Sequence, residues 1–151
     1  MREADEGDAV QIANLHKRVI REIHAESYPT QRIEQWVHGI SLLTIKEEMK
    51  KDHFIVEVKD KASIVAFVHF ENTGHIFQIY VEPLYSGKGV GSSLLNEAER
   101  LMLTKHMKEI SVLASENSVQ FFKHRGYAVN KKMYVSMTKI PLFEMKKRLI
   151  S

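Results

Sequence analysis

Apolar positions in the first third of the chain recur with helical spacing, and those that follow run together or alternate as strands do. After a short N-terminal strand, Ile12, Leu15, Val19, Ile20 and Ile23 share one face of a helix that Asp8 caps and that reaches about His24. Tyr28-Pro29 breaks it, because a residue before proline is pushed out of helical geometry. A second helix fits Thr30 to His38 with Gly39 as its stop, and a third runs from near Ser41 to about Lys51.

From His53 the pattern changes. His53 to Val58, a polar Lys59-Asp60-Lys61 turn and a β-branched and aromatic run from Ser63 to Phe70 read as a β-hairpin. Asn72-Thr73-Gly74 is the next turn, and His75 to Val81 a third antiparallel strand that Pro83 ends. A glycine loop follows, then a helix striped by Val90, Leu94, Leu95, Ala98, Leu101 and Met102. A strand from Glu109 to Ala114, a helix from Glu116 to Arg125 stopped by Gly126, a strand from Tyr127 and a final hairpin around Ile140-Pro141 complete the order. The fold class is mixed α/β, with a strand-loop-helix crossover unit.

Composition narrows the possibilities. The 151 residues contain no repeat or linker and fit one domain spanning 1–151. No cysteine is present, which removes disulfides, thiolate metal clusters and a cysteine nucleophile, and fits a reducing compartment. Lys+Arg 22 against Asp+Glu 19 gives a net charge of +3, which suits a phosphate-bearing ligand and is too mild for nucleic acid. Met1 to Glu6 shows no secretory pattern and no apolar run is long enough for a membrane, so a cytoplasmic protein is expected. The eight histidines lack metal-ligand spacing, so no metal is expected. Met145-Lys146-Lys147-Arg148 reads as a solvated strand edge.

The candidate chemistry lies in Ser86-Gly87-Lys88-Gly89-Val90-Gly91-Ser92. Alternating glycines between a strand and a helix leave backbone N–H groups open beside the helix N-terminus, an arrangement suited to an anion. An ATP/GTP loop is excluded by Glu82 and Gly89, which stand where it needs glycine and Ser/Thr, and a dinucleotide fingerprint by Ser92 and Leu94.

This stretch resembles the pyrophosphate-binding signature Arg/Gln-x-x-Gly-x-Gly/Ala of the GNAT acetyltransferases, with Ser86 replacing the usual first residue. Asn117 to Tyr127 is similar to the family's second motif, Asn-x-x-(small/apolar)-x-x-Phe-Tyr-x-x-x-Gly-Phe, and the resemblance covers essentially the whole chain. Tyr28-Pro29, Trp36 and His75-Ile76 are similar to a bacterial branch of that superfamily.

The resemblance implies a mostly antiparallel sheet flanked by helices, with a splayed strand pair that admits the pantetheine arm of acetyl-CoA, and direct N-acetylation of a small-molecule or peptide amine in a ternary complex. It also makes a homodimer plausible. Carried over by position, Ile79, Tyr80 and Val81 line the arm, Ser86 to Ser92 hold the pyrophosphate with Lys88 adding charge, Asn117 bonds the arm, and Phe121 or Phe122 lines it, at least one of the two being expected to serve only as core. Backbone N–H near Tyr80 is the implied oxyanion donor. His75 falls where some members carry a catalytic Glu and is the candidate base; Tyr80 and Glu82, on the opposite strand face by strict alternation, are fallbacks. Phe122 occupies the position of the family's usual tyrosine acid, which leaves solvent, Tyr85, Tyr127 or Tyr134 to protonate the leaving sulfur, or a module that binds acyl-CoA without efficient turnover. Tyr28 and Trp36, with Gln31, Arg32 and Glu34 nearby, are the candidate acceptor wall.

Overall fold

The computed structural model describes residues 1–26, 28–134 and 141–149. The hairpin pattern folds as expected. Strands β2 (His53–Lys59), β3 (Ser63–Phe70) and β4 (His75–Val81) pair antiparallel in sequence order, with β1 (Arg2–Glu3) along the outer side of β2. Beyond β4 lie β5 (Glu109–Ser115), β7 (Pro141–Arg148) and β6 (Ala128–Tyr134), so the described residues form one sheet of order β1-β2-β3-β4-β5-β7-β6.

Helices cover both faces. On one, α1 (Ala9–His24) and α3 (Leu42–Lys51) bury Ile12, Leu15, Val19 and Ile45 against Phe54, Val56 and Phe67, while α2 (Thr30–His38) packs Ile33 and Val37 on Ile20. On the other, α4 (Val90–Thr104) buries Leu94, Leu95, Ala98 and Met102 against Ile55, Val68, Ile76 and Val112. Each fully buried Leu, Ile or Met among these contributes about 1.5–3 kcal/mol. No helix of the described residues is long and apolar enough to cross a membrane.

Four local expectations change. Asp8 stands at the N-cap of α1 but its side chain makes no capping bond; the carboxylate accepts from the Asp5 N–H at 2.9 Å and pairs with Arg2 at 2.7 Å, tying the first strand to the helix. Ile23 leaves the apolar stripe and is half exposed. The helix expected from Glu116 to Arg125 contracts to a 3-10 turn and α5 (Val119–Lys123), because Gly126 at φ 93° lets the Tyr127 N–H close back on the Phe122 carbonyl at 3.1 Å. The basic run near the C-terminus is no edge, since β7 lies between β5 and β6. Met145 is fully buried, and Lys147 Nζ reaches Glu99 Oε1 at 2.7 Å. Of the hairpin expected around Ile140-Pro141, Ile140 lies outside the described residues and β7 begins at Pro141.

Candidate functional site

The sheet opens where its one parallel pair begins. β4 and β5 are paired only at His75 with Ser111 and Ile76 with Val112; from Phe77 to Val81 the two strands have no ladder between them. At about 3.3 Å per residue this leaves roughly 17 Å of strand edge facing a gap. β5 is fully paired on its other side with β7, so the gap is bounded by rigid walls.

A bulge in β4 decides what faces this gap. The β3–β4 register runs His69 with Gln78 but Phe70 with Ile76, leaving Phe77 as an extra residue. The strand's inside-outside alternation therefore slips by one. Ile76, Ile79 and Val81 all pack towards α4, while His75, Gln78 and Tyr80 come to the side of α1 and α3. Strict alternation had separated His75 from Tyr80; the bulge brings them onto one face.

The same register settles backbone directions. The Glu82 N–H bonds the Val65 carbonyl at 2.8 Å, so by two-residue alternation Tyr80 spends its backbone groups on Phe67, and Ile79 and Val81 present theirs to the gap. The backbone groups near Tyr80 that face the gap are thus those of Ile79 and Val81. Tyr80 instead contributes a ring, which lies 4.6 Å from His16 and 5.6 Å from Phe67; burial pushes its phenol up to about 12 and keeps it protonated.

At the vertex, His75 Nδ1 is 2.8 Å from Ser111 Oγ, and burial lowers the imidazole below its usual pKa against the opposing pull of Glu71 and Glu144. The ring is therefore neutral near pH 7 and can accept a proton.

At the mouth, Gly87 (φ 74°) and Gly89 (φ 82°) both adopt left-handed geometry, and a Cβ at either would meet nothing within 4 Å. They are needed for conformation and leave an open approach. Gly91 is needed for space, since its Cβ would stand 3.3 Å from Phe121 Cε1 and 3.6 Å from Val81 Cγ2. The first loop-to-helix bond is Ser93 N–H to the Gly89 carbonyl at 3.0 Å; among the described residues the N–H groups from Gly87 to Ser92 have no backbone acceptor. Ser86 and Lys88 are exposed beside them, with Lys88 Nζ 5.8 Å above the Tyr85 ring, and Val90 opens α4.

Across the gap, Asn117 is exposed in the turn that follows β5. Phe121 is partly buried and lies against Gly91. Phe122 does not line the gap: it is core, 5% exposed and packed edge-on to Phe121 and Tyr127. Tyr127 is likewise removed as an acid, because it is buried and donates to Glu99 Oε2 at 3.0 Å, and burial and that carboxylate raise its pKa far above the ordinary range. Tyr134 is exposed at the end of β6, and Tyr85 belongs to the loop.

Tyr28 and Trp36 meet around His24, which stacks on Trp36 at 4.8 Å and takes Tyr28 edge-on at 5.4 Å. Eight residues of α1, about 12 Å, separate this cluster from His16 beside Tyr80. Tyr28 also packs on the small core of Ile20, Ile33 and Val37, whereas Trp36 is half exposed.

Two side chains that spacing gave no reason to single out join the site. Ser111 anchors His75. Arg125 bridges from the end of α5 to the start of α4: its Nε lies 2.6 Å from Ser92 Oγ, its Nη1 2.7 Å from the Phe121 carbonyl, and its guanidinium 3.9 Å over the Phe121 ring. A basic residue before Gly126 was visible in the sequence, but its contact with Ser92 depends on α5 ending early.

Known proteins share this fold. The chain is 26% identical over 129 residues to the uncharacterized N-acetyltransferase YafP of Escherichia coli K12, covering 85% of this chain and 81% of that protein. A GCN5-related N-acetyltransferase of Rhodopseudomonas palustris superposes with a TM-score of 0.85 at 24% identity, over 97% of this chain and 93% of that one. The PaiA N-acetyltransferase of Thermoplasma acidophilum, solved with coenzyme A, superposes at 0.84 and 22% identity, over 97% and 96%. Residues 24–149 match the acetyltransferase (GNAT) domain model, and with that match over most of its length the chain belongs to the GNAT acetyltransferase family.

Proposed function

We propose that the protein transfers the acetyl group of acetyl-CoA to a primary amine, by direct attack within a ternary complex. The observation that carries this reading is the gap itself: a strand edge of roughly 17 Å leads from a loop of unpaired N–H groups to a neutral imidazole.

The residues fit the cofactor. Open left-handed glycines, free N–H groups and the N-terminus of α4 suit a pyrophosphate, with Ser86 to Ser92 as its cradle. Ile79 and Val81 offer backbone groups along the gap, with Tyr80 beside them; Asn117 and Phe121 face from the β5 side. Acetyl-CoA, when bound, supplies an activated thioester.

The remaining chemistry belongs to the chain. His75 takes a proton from the attacking amine, the Ser111 hydroxyl fixes the ring, and the Ile79 N–H faces developing negative charge. The Tyr80 phenol, held protonated by burial, is the proton source for the departing sulfur in place of the family tyrosine that Phe122 replaces. No cysteine exists to carry the acetyl group, which favours direct attack. Tyr28 and Trp36 form the outer wall of the acceptor approach, where rings favour a cationic or aromatic acceptor.

Thiol release from acetyl-CoA across a panel of primary amines tests the reading. Turnover that saturates in both substrates with intersecting kinetics is expected. Coenzyme A binding without turnover on any amine would instead establish a binding module, the reading that Phe122 at the usual tyrosine position favours.

A further inference from the structure

Beneath the β4 bulge lies a polar cluster that acetyl transfer as described leaves unused. His69 is 3% exposed, and its ring is sandwiched between Phe54, 4.1 Å away and nearly parallel, and the bulge residue Phe77 at 4.6 Å. Its Nε2 is 2.9 Å from Oδ2 of Asp52, the residue that ends α3, and its Nδ1 is 3.4 Å from Gln78 Nε2. Burying a ring nitrogen costs free energy unless it is hydrogen-bonded, so the contacts that His69 makes decide where its proton sits.

A carboxylate accepts only, so His69 Nε2 carries the hydrogen and donates to Asp52. In the neutral ring Nδ1 is then the acceptor, the assignment that matches the Gln78 NH₂ group at 3.4 Å. Glu48 Oε2, at 3.7 Å from Nδ1, is beyond hydrogen-bond distance. With its nitrogen committed, Gln78 turns its oxygen the other way. That oxygen has no hydrogen-bond partner among the described residues, and the half-buried Gln78 shares its face of β4 with His75 and Tyr80, on the strand beyond whose edge the gap opens.

We propose that Asp52 and His69 are positioning residues that hold Gln78 with its carboxamide oxygen facing the gap, where it accepts a hydrogen bond from the N–H of the acceptor amine. This rests on the amine-acetylating reading above and extends it. The oxygen holds the amine by one N–H while its lone pair faces the thioester and His75 removes another proton. It also sets a substrate class: the acceptor must present a donor-bearing nitrogen, so alcohols and tertiary amines lose this contact.

The test uses the full chain with saturating acetyl-CoA and two simple probes, n-butylamine and benzylamine. In Gln78→Leu the KM for both amines should rise about tenfold, the worth of one hydrogen bond, while the KM for acetyl-CoA stays within twofold and kcat falls far less than kcat/KM. His69→Phe preserves the ring sandwich and should show the same amine defect. The double variant should be no worse than either single one, because the two residues act as one unit. A multiplied defect in the double variant, or an unchanged amine KM in Gln78→Leu, overturns the relay.

Nitrogen-15 NMR of the histidine rings needs no substrate and no variant. At pH 7.5 His69 should show a protonated Nε2 and an unprotonated Nδ1; a protonated Nδ1 overturns the relay, because Gln78 would then be turned round. No turnover of these probes or of any amine in the panel by the wild type overturns both the amine-acetylating reading and this extension of it, whereas turnover with the wrong KM pattern strikes the relay alone.

Discussion

His75 Nδ1 and Ser111 Oγ stand 2.8 Å apart on the last rung before β4 and β5 separate. The contact ties the candidate base to the point where the sheet opens, so the ring's position follows from strand pairing and not from a mobile loop. His75→Ala should lower kcat/KM by about 10²–10⁴ with little change in coenzyme A affinity. Burial lowers the pKa of His75, so the folded protein keeps the neutral form to lower pH than a free imidazole does. Activity should accordingly hold as pH falls through about 6.5 and decline below it. A kcat/KM profile from pH 5 to 8 checks this, and an acid limb centred above 6.5 speaks against His75.

The three glycines of the loop should fail in different ways. Gly89→Ala places a side chain at φ 82° with nothing to collide with, so it costs about 1–2 kcal/mol of stability through backbone strain and also covers the face offered to phosphate. Gly91→Ala meets Phe121 at 3.3 Å in ordinary helical geometry and should disturb packing with a smaller loss of affinity. Calorimetric titration with coenzyme A beside urea melts separates the two. Equal affinity losses would show that the loop is read by its packing and not by its open N–H groups.

Arg125 brings a permanent positive charge to Ser92 at the start of α4, on a loop whose first signature position is the neutral Ser86. Arg125→Met should weaken coenzyme A about tenfold at low salt and flatten the salt dependence of binding, since one charge facing the phosphates is gone. Affinity that falls without any change in salt slope would mean that Arg125 only braces Ser92 and the Phe121 carbonyl.

How far the sequence could be read depended on the range of each signal. The spans of α1, α2, α3 and the β2–β4 run were legible because apolar spacing is local and strong. So was the glycine loop, whose meaning lies within a few residues. The bulge at Phe77 was not, because nothing within His75–Val81 departs from a regular strand; the extra residue exists only relative to β3. That one slip put His75 on the same face as Tyr80. The basic run at Lys146-Lys147 misled for a similar reason. Its ionic partners, Glu99, Glu109 and Glu144, come from α4, β5 and its own strand, and inserting β7 between β5 and β6 is a long-range choice.

His16 gives the molecule an acid-sensitive element separate from catalysis. Its Nδ1 is buried without a hydrogen-bond partner among the described residues, and the ring lies 4.6 Å from Tyr80. Burial, helped by the nearby His69, pushes its pKa down to about 4, against 6.5 for the unperturbed group. The sign follows directly: as pH falls from 6.5 to 4 the unfolded chain takes up a proton that the folded chain refuses, so stability is lost on acidification. Above pH 6.5 both states are neutral and the group contributes no slope. Across that window the loss amounts to about 3 kcal/mol. His16→Phe keeps an aromatic ring over Tyr80 and has nothing to titrate, so its urea midpoint should fall distinctly less between pH 7.5 and pH 4.5 than that of the wild type. An equal fall in both proteins would place the acid sensitivity elsewhere and reject the assignment to His16.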